Sequence, residues 1–101
     1  MALEITRNDA EQRYEARVDG ELAGIAQFQL DGDRIVFTHT EVDDRFEGQG
    51  VGSALARTAL DDVRTRGTLR VVPRCEFIRS WIEQHPEYAD LVDAGEQSRT
   101  D

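Results

Sequence analysis

At 101 residues the chain has room for one domain with a real core and little beyond it. Hydrophobic residues make up 39% and charged residues 33%, and the net charge is -9; with no basic stripe to displace counterions, a nucleic-acid binder is disfavoured. No apolar run approaches membrane-spanning length and no basic-then-apolar leader opens the chain, so an intracellular, cytoplasmic protein with no membrane contact is expected.

An acidic surface suits a cationic partner such as an amine, although solubility is the commoner reason for one. All twelve basic residues are arginines. Cys75 is the single cysteine, which rules out an internal disulfide. With only His39 and His85 beside it, the four Cys/His ligands of a structural zinc site are lacking, and no metal is expected.

The first part of the chain reads as a meander of strands. Leu3-Glu4-Ile5 alternates and breaks at Asn8-Asp9. Tyr14, Ala16 and Val18 alternate with charged residues up to Asp19-Gly20, the strongest hairpin signal in the sequence. The return strand carries Leu22, Gly24, Ala26, Phe28 and Leu30 at period two, and Asp31-Gly32-Asp33 turns it into the run Arg34–Val42. That run is apolar on both faces at its start, as expected of a central strand covered by helices.

Beyond Glu47-Gly48-Gln49-Gly50-Val51-Gly52-Ser53 the period changes. Val51, Leu55, Ala59 and Val63, joined by Ala54, Ala56 and Leu60, predict a helix from Val51 to Arg66, stopped by Gly67. Leu69–Val72 reads as a short strand ended by Pro73. Phe77, Ile78, Trp81, Ile82 and His85 form the stripe of a second helix, Glu76–Gln84, interrupted at Pro86; Glu87–Val92 is a last short turn or helix packed through Tyr88 and Leu91. One domain over 1–92 and a disordered tail over 93–101 complete the expectation. The order is β-β-β-β-α-β-α, an α/β (α+β) arrangement in which an antiparallel meander feeds one β-α-β unit and a C-terminal helix. A right-handed crossover then runs Leu69–Val72 parallel to Ile35–Val42.

Glycines this dense at a strand-to-helix junction let backbone N–H groups face open space at a helix N-terminus, where the dipole favours a phosphate. A Walker A loop needs Gly-Lys-Ser/Thr, and the chain has no lysine. A dinucleotide fingerprint belongs after the first strand of a parallel fold, whereas an antiparallel meander comes first here.

The loop resembles motif A of the GCN5-related N-acetyltransferases (GNAT), Arg/Gln-x-x-Gly-x-Gly/Ala, with Glu47, Gly50 and Gly52 at the matching positions. Thr38-His39-Thr40-Glu41-Val42, the glycine loop, Pro73-Arg74-Cys75-Glu76-Phe77-Ile78 and His85-Pro86-Glu87-Tyr88 together are similar to the small YjdJ-type members of that superfamily. The resemblance implies a compact GNAT-like fold and an acetyl-CoA or coenzyme A site built from Val42, Glu47, Gly48, Gln49, Gly50, Val51, Gly52 and Ser53. It also implies transfer of an acetyl group to an amine, on a small molecule or a basic peptide, and a cysteine near the acetyl end of the cofactor. A coenzyme A-binding module with little or no catalysis is the alternative, because the segment between Ile5 and Tyr14 is too short for the two helices that ordinary members carry there. Glu47 departs from the motif: a carboxylate about 4 Å from a phosphate costs ~1 kcal/mol even in water, so it points outward or Arg45 neutralises it.

Three residues are candidates for chemistry. Cys75 sits at the start of a helix, where a thiol is shifted toward thiolate; a small buried cysteine is the plain alternative. His39 and Glu41, two apart on a strand, share a face and offer a base for an ammonium acceptor, against a packed histidine and a solvated carboxylate. His85 is expected to pack or cap, Trp81 and Tyr88 to fill core positions, and Ser53 to offer its N–H and hydroxyl to the pyrophosphate, against a plain helix N-terminal serine.

Overall fold

The computed structural model describes residues 2–93. Strands β1 (Leu3–Asn8), β2 (Arg13–Val18), β3 (Glu21–Asp31) and β4 (Arg34–Val42) form an antiparallel meander. A 3-10 turn (Asp44–Phe46) and the glycine loop lead into α1 (Val51–Arg66). Then follow β5 (Arg70–Pro73), α2 (Glu76–Gln84) and a 3-10 helix (Pro86–Leu91). The sheet order is β1-β2-β3-β4-β5, and β5 runs parallel to β4 from Arg34↔Arg70 to Phe37↔Pro73. The expected order of elements and the parallel pairing are both present, with β5 placed one residue later than expected.

Local chemistry accounts for the turns and stops. Asp19 and Gly20 both adopt positive φ, 50° and 88°, the backbone of a two-residue hairpin turn whose twist matches the strands it joins. At the end of α1, Gly67 takes φ 72° and its N–H closes on the Val63 carbonyl, while Arg64 and Arg66 complement the negative end of the helix.

One core joins the sheet to both helices. Tyr14, Phe28 and Phe37 from three neighbouring strands pack with ring centroids 5.5 to 6.4 Å apart, and Leu55, Ala59, Leu60 and Val63 of α1 share that core. The Tyr14 hydroxyl donates to Asp62 of α1 at 2.7 Å; burial, reinforced by that carboxylate, pushes its ionisation far up. Ile78, Trp81 and Ile82 of α2 belong to the same cluster. Both helices therefore lie on one side of the sheet, where the crossover helix was expected on one face. Among the described residues the second face carries no helix, and Val36 there is only half-buried.

Two bulges decide which side chains reach which face. In β3, Ala16 faces Gly24 and Arg17 faces Leu22, which leaves Ala23 unopposed. In β4, Phe28 faces Phe37 and Gln27 faces His39, which leaves Thr38 unopposed. The second bulge resets the alternation. Phe37 points into the core before it, and Thr40, opposite buried Ala26, takes that side after it. The tail expected over 93–101 lies outside the described residues except for Asp93, whose amide donates to the Val71 carbonyl.

Candidate functional site

The glycine loop is built to leave backbone donors free. Asp43 ends β4 and caps the 3-10 turn by accepting the Arg45 amide at 2.9 Å, a bond that holds its carboxyl below the usual range with help from the Arg45 side chain. Gly50 is the N-cap of α1 at φ 82°, where it supplies no side chain to cap the helix, and the first turn holds no acidic residue. The first bond of the helix runs from Ala54 N–H to the Gly50 carbonyl, so the N–H groups of Val51, Gly52 and Ser53 lie ahead of it. A Cβ at Gly48 or Gly50 would meet nothing within 4 Å, so open space stands over these positions. Glu47 and Gln49 are exposed and Val42 is half-buried. Arg45 does not neutralise Glu47; it bonds to Asp43 and Glu21.

Beside this loop the sheet comes apart. Pairing of β4 with β5 stops at Phe37↔Pro73, and the last backbone bond across is Cys75 N–H to Phe37 C=O at 2.8 Å. Thr38–Val42 continue along β3 alone, leaving the other edge of β4 without a strand among the described residues. An unpaired strand edge offers N–H and C=O groups to whatever lies against it. Cys75 stands at the mouth of this gap as the N-cap of α2, 7% exposed, with Sγ 3.3 Å from Thr40 Oγ1.

The candidates for chemistry do not form one cluster. His39 and Glu41 share a face, as their spacing implies, with Nε2 and Oε2 3.8 Å apart and both side chains exposed. They project from β4 opposite to Thr40 and Cys75. On their side lies a cleft of about 530 Å3, lined by Leu22 and Ile25 and by Arg13, Glu41, Asp43 and Asp44. Cys75 thus faces the helices, and the His39–Glu41 pair faces the open side.

Sequence reasoning missed two contacts. Thr40 as the partner of Cys75 depends on the bulge at Thr38, which the apolar pattern does not signal. The Ser53 hydroxyl, named above only for the pyrophosphate, also accepts the Trp81 indole N–H at 2.9 Å. Trp81 and Tyr88 are buried as expected, and His85 caps α2 while stacking on Trp81 at 3.8 Å. Phe77, by contrast, is 42% exposed and rests against Gly52, where an added Cβ would come within 3.0 Å of the ring.

A meander opening into a β-α-β unit, with a glycine-rich helix start beside a parted pair of parallel strands, defines the class of fold. Residues 13–91 match the GCN5-related N-acetyl-transferase family, and the chain belongs to it. It is 37% identical over 60 residues to protein NATD1 of Bos taurus; the match takes in 58% of this chain and 52% of that protein, so the chain spans about half the length of this curated relative. The solution structure of a GCN5-like protein from Staphylococcus aureus aligns with a TM-score of 0.69 at 25% identity, covering 90% of this chain and 88% of that one. The Escherichia coli ribosomal-protein-S18-alanine N-acetyltransferase aligns with a TM-score of 0.54 at 25% identity, over 60% of this chain and 41% of that one. The fold is thus the compact α+β fold of small GNAT proteins. Among the described residues no helix is long and apolar enough to cross a membrane, and no group of three or more His, Cys, Asp or Glu side chains could hold a metal ion.

Proposed function

We propose that this chain binds acetyl-coenzyme A and transfers its acetyl group to an amine. The observation that carries the reading is the junction of two features: three uncapped N–H groups at the start of α1, and the edge of β4 left free beside them. Donors at a helix start match a pyrophosphate, and a free strand edge matches an amide-bearing arm, so the residues present fit the cofactor. Gly48 to Ser53 would hold the phosphates, with Val42 and the edge of β4 beside the arm. Exposed Glu47 has space to turn away from them. When bound, the cofactor supplies an acyl thioester.

The chain's own part is to bring an amine to that group and remove its proton. The cleft beside Glu41 joins an apolar floor to an acidic rim and suits an ammonium on an aliphatic stem. Glu41, paired only with His39 at 3.8 Å, is the base best placed to take a proton from an amine arriving on that side. Cys75 and Thr40 face the gap from the helical side, which suits a thiol that carries the acetyl group in transit or one that lines its pocket.

Coenzyme A binding tests the site, and turnover divides this reading from a binding module without catalysis, an alternative favoured by the short turn over residues 9–12. Coenzyme A at about a hundred times its Kd should add roughly 2.7 kcal/mol of stability, a rise in Tm on the order of 10 °C; no rise removes the cofactor site. Incubation with acetyl-CoA and a panel of amines and basic peptides should yield acetylated product. Tight coenzyme A binding with no product leaves only the module. Intact mass then decides the role of Cys75: a +42 Da adduct (about one acetyl group) lost in Cys75→Ala supports a covalent route.

A further inference from the structure

We propose that Trp81 is a positioning residue for the phosphate end of the site, holding the Ser53 hydroxyl so that its proton points at a phosphate oxygen. The inference rests on the coenzyme A site proposed above and adds a donor that the glycine loop alone does not contain.

An indole N–H only donates, while a serine hydroxyl has one proton and two lone pairs. The 2.9 Å bond from Trp81 Nε1 occupies one lone pair of Ser53 Oγ and turns the hydroxyl proton elsewhere. A helical serine commonly spends that proton on a carbonyl one turn back. Ser53 sits in the first turn of α1, and its hydroxyl donates to no acceptor among the described residues. It stands exposed beside the uncapped N–H groups of Val51, Gly52 and Ser53 itself. Four donors without acceptors at one helix start match an anion with several oxygens better than three.

The indole is held firmly enough to direct that hydroxyl. His85 stacks on it at 3.8 Å and 14°, with Nδ1 2.7 Å from the Trp81 carbonyl oxygen, and the Arg57 guanidinium lies 5.3 Å from the ring centre. One turn earlier on α2, Phe77 packs on Gly52, so residues 77 and 81 dock α2 onto the first turn of α1. A Cβ at position 52 would come within 3.0 Å of the tip of the Phe77 ring, so that ring would have to give way. The helix that begins at Cys75 and the loop that meets the phosphates are thereby one unit.

Coenzyme A and pantetheine separate this role from general support, because pantetheine has the arm without the phosphates. Calorimetry on the wild-type chain and its variants should show that Ser53→Ala and Trp81→Phe each weaken coenzyme A on the order of tenfold, with pantetheine changed less than twofold. The double variant should bind coenzyme A no more weakly than Ser53→Ala, since Trp81 acts through Ser53. Equal losses for both ligands, or no loss in either single variant, would overturn the proposal. If Trp81→Phe fails to fold, the single indole N–H resonance of the wild type decides: it should move with coenzyme A and stay with pantetheine, and the reverse rejects the role. A wild-type chain that binds no coenzyme A overturns the cofactor site itself, which distinguishes the two failures.

Discussion

The two halves of β4 are one strand in sequence and two different objects in the fold. Arg34–Phe37 is bonded on both edges, to β3 and β5, and sends Ile35 and Phe37 into the core. Thr38–Val42 is bonded on one edge, and its side chains divide between Cys75 on one face and an open cleft on the other. One unopposed residue, Thr38, separates them. The lesson is that the site is made by withholding structure: a pairing stopped after Phe37, a helix cap left as glycine, a sheet face with no helix on it among the described residues. Stability belongs to the first half, and the proposed chemistry to the second.

The sharpest test of that division is a pair of substitutions two residues apart. Phe37 is fully buried among Tyr14, Phe28 and the helices, so Phe37→Ala should cost about 3–5 kcal/mol. For a domain whose whole stability is about 5–15 kcal/mol, that is a large share. His39→Ala, on an exposed side chain, should change stability by less than about 0.5 kcal/mol. Urea unfolding measures both. A His39→Ala loss approaching that of Phe37→Ala would show that the second half of β4 carries load as well.

Next in size is Gly24→Ala. Gly24 lies on β3 opposite Val42, and a Cβ there would come within 2.8 Å of the Glu41 carbonyl oxygen and 3.2 Å of Leu55 and Val51. The oxygen is backbone and cannot swing aside, so β4 or α1 has to shift, at about 1–3 kcal/mol. Because the shift falls on the free half of β4 and the first turn of α1, coenzyme A affinity should fall with stability. A loss of stability with binding intact would show that the two are not coupled through this glycine.

Much of the fold was legible, for identifiable reasons. Asp19-Gly20 and Gly67 are residues whose backbone preferences name a turn and a stop. The change from period two to the helical period at Val51 locates the loop, and α2 occupies the expected Glu76–Gln84. The bulges at Ala23 and Thr38 were not legible: Gly24 beside the first fits the period-two pattern without one, and the polar run that begins at Thr38 carries no apolar side chain to show which face each residue takes. Without the bulge at Thr38 there is no way to see that Thr40 turns toward Cys75 while His39 and Glu41 turn away. The Trp81–Ser53 bond joins residues 28 apart and depends on how α2 docks, a tertiary fact that a helical stripe does not contain.

The smallest effect compares two carboxylates flanking Ile25 on the open face. Glu15 and Glu41 are the cross-strand partners of Ile25 on β2 and β4. Glu15 is 5% exposed and accepts from Arg13 at 2.8 Å, Arg17 at 3.0 Å and Asn8 at 3.0 Å. The bond from Arg13 leads in holding its carboxyl below the usual value, with burial opposing. A carboxyl lowered by folding adds stability above its unfolded pKa, 4.5 for a free glutamate, and that contribution fades as pH falls through the lowered folded value. Glu15→Gln should therefore cost up to about 1 kcal/mol at neutral pH, with the two unfolding curves converging below pH ~4. Glu41→Gln should leave the stability profile in place and reduce acetyl transfer instead, because its carboxylate meets only His39. Parallel acid titrations of the two variants check the contrast. If Glu41→Gln were the one to flatten the acid limb, the carboxylate assigned to chemistry would be the structural one, and the division between the halves of β4 would fail at the residue that matters most to it.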